Sequence, residues 1–257
     1  MDAADKPVIL TYHSISNGRS PLEISPALFA EQMEWLKKNA SVAPLASVVN
    51  ALVQRKPLPE RTLALTFDDG FLDFHTHAAP VLLRLNLPAI VFLPIAHVGG
   101  RNDWAGQPTW VTKQLLMDWP QVRELADQGI CFGSHSVSHA DLTALAPTEL
   151  KYELEKSKRE IELRVNRAVD FLCYPYGRWN ADVRAVVARN YRGACSTGAG
   201  VVEPDADPFA LPRVDAHYVR HPRWFQCLFT RRFEAYIAAR RMIRRLRGQP
   251  EGAYSRV

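Results

Sequence analysis

The chain has 257 residues, 47% hydrophobic and 23% charged, so it can bury a sizeable core and is no disordered segment. Its net charge of +5 is unevenly spread: residues 220–247 carry nine arginines against one acid, Glu234, which leaves the remainder mildly acidic. No run approaches the ~18–20 apolar residues of a membrane span. The four cysteines, Cys131, Cys173, Cys195 and Cys227, form no C-x-x-C pair, which speaks against zinc fingers and thiol redox motifs and leaves buried, reduced thiols as the expectation.

The opening run Met1-Asp2-Ala3-Ala4-Asp5-Lys6 lacks the basic and apolar regions of a secretion signal, so the cytoplasm is the expected compartment. A strand is predicted over residues 8–12. An amphipathic helix follows over 26–38, where Leu28, Phe29, Met33, Trp35 and Leu36 alternate with polar residues. Six further strands are predicted over 63–67, 89–93, 130–133, 171–174, 193–196 and 209–214. Between them lie helices over 120–127, opened by a proline suited to a first turn, over 148–165, with Leu150, Leu154, Ile161 and Val165 on one face, and over 182–189. Residues 97–119 form a long insert carrying Trp104, Trp110 and Trp119. Most strand runs are continuously apolar, as in parallel sheets covered on both faces. Alternation of strand and helix without a break in composition predicts one α/β domain, with the sheet either closed into a barrel or open and doubly wound.

Polar groups gather just after the predicted strands: His13, then Asp68 and Asp69, then His135, then Tyr176 and Gly177, and finally Arg213 with Asp215. In a parallel barrel the C-terminal strand ends converge on one face, where such residues would meet. The run Thr66-Phe67-Asp68-Asp69-Gly70 also suits an ordinary turn and helix cap. In Ser134-His135-Ser136-Val137-Ser138-His139, two histidines four apart face one way if the segment is helical, close enough to share an ion, though such a pair also occurs solvated or in cores. Joined to a carboxylate from another strand end, they supply two imidazoles and one carboxylate and leave positions open for water and substrate, as a catalytic zinc site requires. Cys173-Tyr174-Pro175-Tyr176-Gly177 reads equally as a bare turn.

Taken in order, Thr-Phe-Asp-Asp-Gly, His-Ser-x-x-His and Pro-Tyr-Gly resemble the polysaccharide deacetylases, also called family four carbohydrate esterases, over residues 7–216. The strand ending Leu10-Thr11-Tyr12-His13-Ser14 is similar to the circularly permuted branch that deacetylates poly-N-acetylglucosamine. The resemblance implies a distorted (β/α)7 barrel, expected over residues 1–219, and the arginine-rich residues 220–257 are read as a basic helical extension after it. It implies that Asp69, His135 and His139 hold one divalent metal ion. Zinc suits the mixed ligands, and cobalt, nickel or iron also fit. It further implies that Asp68 is the catalytic base, that the Tyr176 backbone N–H helps to hold an oxyanion, and that Pro175 belongs to the substrate-binding turn. The reaction implied is hydrolysis of the acetamide of an N-acetylated sugar.

Two departures matter. The arginine that family members carry shortly before Pro-Tyr is absent from residues 171–174, and Arg213 is expected to supply that charge. The late histidine motif is also absent, which makes His13 the expected general acid, with a structural histidine at the barrel rim as the alternative. Trp104 and Trp110 are expected either to stack on sugar rings or to pack under their loop, and Trp119 to pack. Over residues 224–247, Phe225, Leu228, Phe229, Tyr236, Ile243 and Leu246 form an apolar stripe among arginines. This reads as a basic amphipathic helix, lying either on an anionic membrane or on the barrel with its arginines in solvent. Membrane contact would suit a lipid-linked or membrane-proximal sugar handled on the cytoplasmic side. No nucleic-acid partner is expected, because no recognition fold accompanies the arginines. Two rival readings are a metal-dependent amidase or deformylase acting on a non-sugar amide, and a catalytically silent carbohydrate-binding protein.

Overall fold

The computed structural model describes residues 3–18, 20–109 and 111–246. The elements run β1 Val8–Tyr12, α1 Pro26–Asn39, β2 Ser41–Val42, α2 Leu45–Gln54, β3 Thr62–Phe67, a π-helical turn Phe74–Ala78 leading into α3 Ala79–Leu85, and β4 Ala89–Leu93. They continue with α4 Trp119–Asp127, β5 Cys131–Ser134, α5 Pro147–Val165, β6 Phe171–Cys173, α6 Ala181–Asn190, β7 Gly193–Ala199, β8 Leu211–Asp215, α7 Pro222–Phe225 and α8 Arg231–Leu246.

Strands β3 to β8 lie side by side in chain order, all parallel, and β1 pairs with β8 on one edge and β3 on the other. This closes a ring of seven strands, a distorted (β/α)7 barrel rather than an open sheet. The seams are unequal. Four residue pairs join β4 to β5, only Ser134 and Leu172 pair β5 with β6, and the β7–β8 register shifts between Cys195 and Ala199.

Side chains alternate across each strand, so the barrel has two cores. Ile9, Ala64, Ile90, Phe92, Phe171 and Leu211 fill the interior, while Leu10, Leu65, Val91, Leu172 and Val214 pack outward against the helices. One step up from Ile9, Ala64 and Leu211, the same alternation turns Thr11, Thr66 and Arg213 inward, so the interior becomes polar towards the C-terminal strand ends. The other end is closed by α2, whose Leu45, Val48 and Val49 join the interior cluster.

Helix starts follow from local chemistry. Ser25 accepts from Leu28 N ahead of Pro26, Asp118 and Gln121 bond reciprocally at the head of α4, and Asn180 accepts from Val183 N. The sequence pattern misses β2 and α2. The first has only two residues. The second is apolar nearly all round and rich in valine, which blurs the helical period. The C-terminal stripe is two helices, not one, interrupted between Gln226 and Thr230. Phe225, Leu228, Phe229, Phe233 and Ile237 are buried on the barrel, whereas Met242 and Ile243 are exposed. Of the cysteines, Cys173 and Cys195 are buried, Cys227 is half-buried and Cys131 is exposed, all as free thiols.

Gly133, two residues before His135, sits where a Cβ would lie 2.5 Å from the Phe92 ring and 3.0 Å from the Phe171 carbonyl oxygen. Gly133→Ala is expected to destabilise the barrel by about 1–3 kcal/mol through overpacking, read as a lowered urea midpoint at unchanged slope.

Candidate active site

Asp68 and Asp69 follow β3 and are both buried. Asp69 has φ 70° and Gly70 φ 70°, the left-handed conformation that Asp tolerates and Gly adopts freely. A Cβ on Gly70 would meet Leu93 at 2.5 Å, so this turn requires glycine. It directs the two carboxylates to different partners.

Asp68 receives a bidentate pair from Arg213, Nη1 to Oδ1 at 2.8 Å and Nη2 to Oδ2 at 2.7 Å. The rest of the guanidinium is also engaged: Nε donates to the Ser196 carbonyl at 2.9 Å, Nη1 to Thr11 and Thr66 Oγ1, and Nη2 to Cys173 Sγ. Burial pushes the Asp68 pKa up, but the Arg213 charge and its hydrogen bonds outweigh this and hold the carboxyl at about 2. Asp68 is therefore ionised at neutral pH. His13 Nε2 stands 3.7 Å from Asp68 Oδ2.

Asp69 faces both motif histidines. Its Oδ1 lies 3.4 Å from His135 Nε2 and 3.5 Å from His139 Nε2. Burial opposes its ionisation, but hydrogen bonding to His135 and His139 holds it far below the usual carboxylate range. His135 Nδ1 donates to the Cys173 carbonyl at 2.7 Å, which fixes the ring and leaves Nε2 for a ligand. His139 is kept neutral by burial, with a pKa lowered to about 4. Asp69, His135 and His139 offer ligand atoms within 4.8 Å of one another, a donor set that fits a divalent transition metal. Asp68, His135 and Cys173 also cluster, but burial pushes the Cys173 thiol up to about 11 and Arg213 occupies Asp68, so the first set is the better cation site.

The histidines converge by a route other than the helical spacing. Residues 135–140 form no helix, and Ser136 and His139 have φ of 66° and 58°. The turn is held from behind by Glu153 of α5. Its Oε2 accepts from Val137 N at 2.7 Å and Ser138 N at 3.0 Å, and its Oε1 from Ser138 Oγ at 2.7 Å. Ser134 and Ser157 hydroxyls bond at 2.7 Å, and Ser136 Oγ accepts from His139 N. Glu153 escapes sequence reasoning because it lies in a helix dense with charged residues. Only its place at the edge of the apolar face, beside Leu150 and Leu154, hints at burial.

A cavity of about 290 Å³ opens over this centre, lined by His13, Asp68, Asp69, His135, His139 and Tyr176 among others. Trp104 also borders it, but is only 4% exposed and stacks on His139 with centroids 4.1 Å apart, so it walls the ligand set instead of standing free on a loop. Trp110 lies outside the described residues. Pro175 is buried and does not line the cavity. It precedes Tyr176, whose φ of 57° makes the turn that brings its ring against His139. Trp119 packs at the head of α4 under Arg164.

A family model for polysaccharide deacetylase matches residues 55–192, from before the Asp pair to beyond Pro-Tyr-Gly. The chain belongs to the polysaccharide deacetylase family. Within the family it is similar to the polysaccharide deacetylase YxkH of Bacillus subtilis, at 29% identity over 80% of this chain and 70% of that protein. It is also 28% identical to the poly-β-1,6-N-acetyl-D-glucosamine N-deacetylase of Escherichia coli K12, over 46% of this chain and only 19% of that much longer enzyme. In fold it is similar to IcaB from Ammonifex degensii, with a TM-score of 0.73 at 24% identity, covering 88% of this chain and 96% of that one.

Glu153→Ala removes the acceptor for the half-buried backbone N–H groups of Val137 and Ser138 behind the histidine turn. Zinc affinity is expected to fall roughly 10–100-fold while the fold survives. Competition with a chromophoric chelator measures this, and wild-type affinity would show that the turn holds itself.

Proposed function

We propose that this protein hydrolyses the acetamide of an N-acetylated amino sugar, with one divalent ion, zinc by preference, held by Asp69, His135 and His139. The observation that carries this reading is the convergence of that ligand set with a second, ionised carboxylate, Asp68, in one cavity of a polysaccharide deacetylase. The name of the related Escherichia coli enzyme supports an N-acetylglucosamine substrate.

When bound, the ion would polarise the acetamide carbonyl and lower the pKa of water, so that losing a proton makes it a nucleophile near neutral pH. Asp68 accepts a proton from the attacking water, and Arg213 holds its carboxylate in line. Arg213 holds the Asp68 carboxyl at about 2, so the acceptor is ionised at neutral pH. The Tyr176 backbone N–H faces the carbonyl oxygen as negative charge develops. His13, 3.7 Å from Asp68, gives a proton to the departing amine. Trp104 and Tyr176, packed on His139, exclude bulk water from the centre.

Acetate release from N-acetylglucosamine oligomers, measured alongside metal content, tests the reading. Asp68→Asn is expected to retain metal and lose at least about 100-fold in turnover, the scale of general-base catalysis, whereas His135→Ala loses metal and activity together. Tight metal binding without acetate from any sugar would favour the amidase reading.

The same proposal extends to location. The far end of α8 exposes Met242 and Ile243 beside Arg241, which suits contact with an anionic membrane surface carrying the sugar. Flotation with phosphatidylglycerol vesicles is expected to recover the full chain in the lipid layer and to leave a chain ending at Arg220 behind, provided circular dichroism shows it folded. Met242→Glu/Ile243→Glu in the full chain checks the same contact without truncation, and unchanged flotation of that variant would overturn it.

A further inference from the structure

Three segments of the chain meet at one buried hydroxyl. Ser14, the residue after His13, is fully buried, and its Oγ lies 2.5 Å from Asp73 Oδ2, 3.0 Å from Gln114 Oε1 and 2.8 Å from Ser16 Oγ. Asp73 ends the run that begins at Asp68 and Asp69, and Gln114 belongs to the returning arm of the 97–119 insert. That arm is stitched to the same run, with Leu72 N bonded to the Leu115 carbonyl and Met117 N to the Gly70 carbonyl, both at 2.9 Å. On the other side Gln114 Nε2 donates to Glu23 Oε1 at 2.7 Å, and Glu23 Oε2 accepts from Ser20 N at 2.7 Å. Glu23 is buried as well, and Arg220 holds its loop through the Ser20, Pro21 and Glu23 carbonyls.

The number of hydrogens limits how these groups can bond. A carboxylate only accepts, so Glu23 turns the NH2 of the Gln114 amide towards itself and leaves the amide oxygen towards Ser14. The Ser14 hydroxyl has one hydrogen and two such acceptors within reach. With Asp73 ionised, that hydrogen goes to Asp73, and the Gln114 oxygen loses it. With Asp73 protonated, Asp73 donates to Ser14 Oγ, Ser14 to Gln114 and Gln114 to Glu23, in one continuous chain. The surroundings favour the second form. Burial pushes the Asp73 carboxyl above its ordinary value and the Glu23 charge adds to this, outweighing the Ser14 hydroxyl, the Ile15 N–H and His77, which pull it down.

We propose that Asp73 is the proton-holding end of a latch between the insert and the loop after His13, fastened through Ser14 and Gln114 when Asp73 is protonated and released when it ionises. Both joined pieces line the catalytic cavity, the loop through Leu22 and the insert through Trp104, Gln107 and Val111. Acid therefore tightens the cavity wall and base loosens it. By linkage, a carboxyl held above its ordinary value in the fastened form stabilises that form fully below the ordinary value, and the contribution is lost as pH rises through the raised one. The latch goes beyond the de-N-acetylase reading and does not depend on which amide the site cleaves.

Hydrogen exchange of the full chain, read by mass spectrometry and corrected for the intrinsic effect of pH, tests the latch. The quantity read is the protection of residues 100–117 relative to α5. From about pH 4 to about pH 8 the wild-type ratio is expected to fall about tenfold, the scale of one buried hydrogen bond lost above the ordinary Asp value. Asp73→Asn, whose amide donates to Ser14 without titrating, keeps the ratio high across the range. Ser14→Ala and Gln114→Leu, which break the chain, keep it low and flat. A wild-type ratio that does not change with pH, or an Asp73→Asn ratio that falls as in wild type, overturns the latch. Should Asp73→Asn fail to fold, the other two variants decide: a flat ratio supports the latch, and a wild-type slope overturns it.

Discussion

One guanidinium organises the mouth of the barrel. Arg213 rises from β8 and makes contact with β7 through Ser196, β6 through Cys173, β1 through Thr11 and β3 through Thr66, before closing on Asp68. Burying such a charge costs several kcal/mol and is recovered only when every donor finds a partner in good geometry. The planar fork of arginine meets that demand and a lysine would not. The pair is thus less a source of stability than a constraint on arrangement. The strands must close at the register that satisfies all of these bonds, and Asp68 must point where they meet. The same contact keeps the carboxylate ionised and limits its basicity, so the feature that orients Asp68 also sets the chemistry it can perform.

The neighbouring ligand set depends on backbone conformations that side chains ordinarily avoid. Asp69, Ser136, His139 and Tyr176 all adopt positive φ within a few residues of the cavity. Each conformation carries a cost of about 1–3 kcal/mol, and each has visible support. Gly70 fits under Leu93, Glu153 holds the 137–138 amides, Ser136 Oγ accepts from His139 N, and Gly177 tucks against Thr197. The strain lies at the cavity and the compensation one layer behind it.

This layering explains what could be read from sequence. Apolar runs located seven barrel strands to within a few residues, because a strand covered on both faces needs little but burial. Strand ends located Asp68, Asp69, His135 and Tyr176, because barrel topology makes order along the chain into proximity in space. The missing arginine before Pro-Tyr pointed to a charge arriving from elsewhere, and Arg213 stands at Asp68. By contrast, the histidine spacing brings the two rings together only if the segment is helical, and the chain does so through a turn instead. Glu153 was hidden among solvated charges, and α2 was too uniformly apolar to show a period. The choice for Trp104 between stacking on sugar and packing under its loop stayed open, because nothing local encodes its long-range packing onto His139.

The seam between β5 and β6 carries a further implication. Backbone pairing there is reduced to Ser134 and Leu172, and just above it the His135 ring reaches across to the Cys173 carbonyl. The imidazole acts as an extra rung where the ladder runs out. Its other nitrogen faces Asp69, so one side chain serves both the wall and the proposed ion site. Any ion that immobilises this ring also fastens the least-stitched joint of the cylinder, and any loosening of that joint weakens the grip on the ion. With the proposed ion bound, occupancy of the centre and closure of the wall would be two readings of a single linked equilibrium.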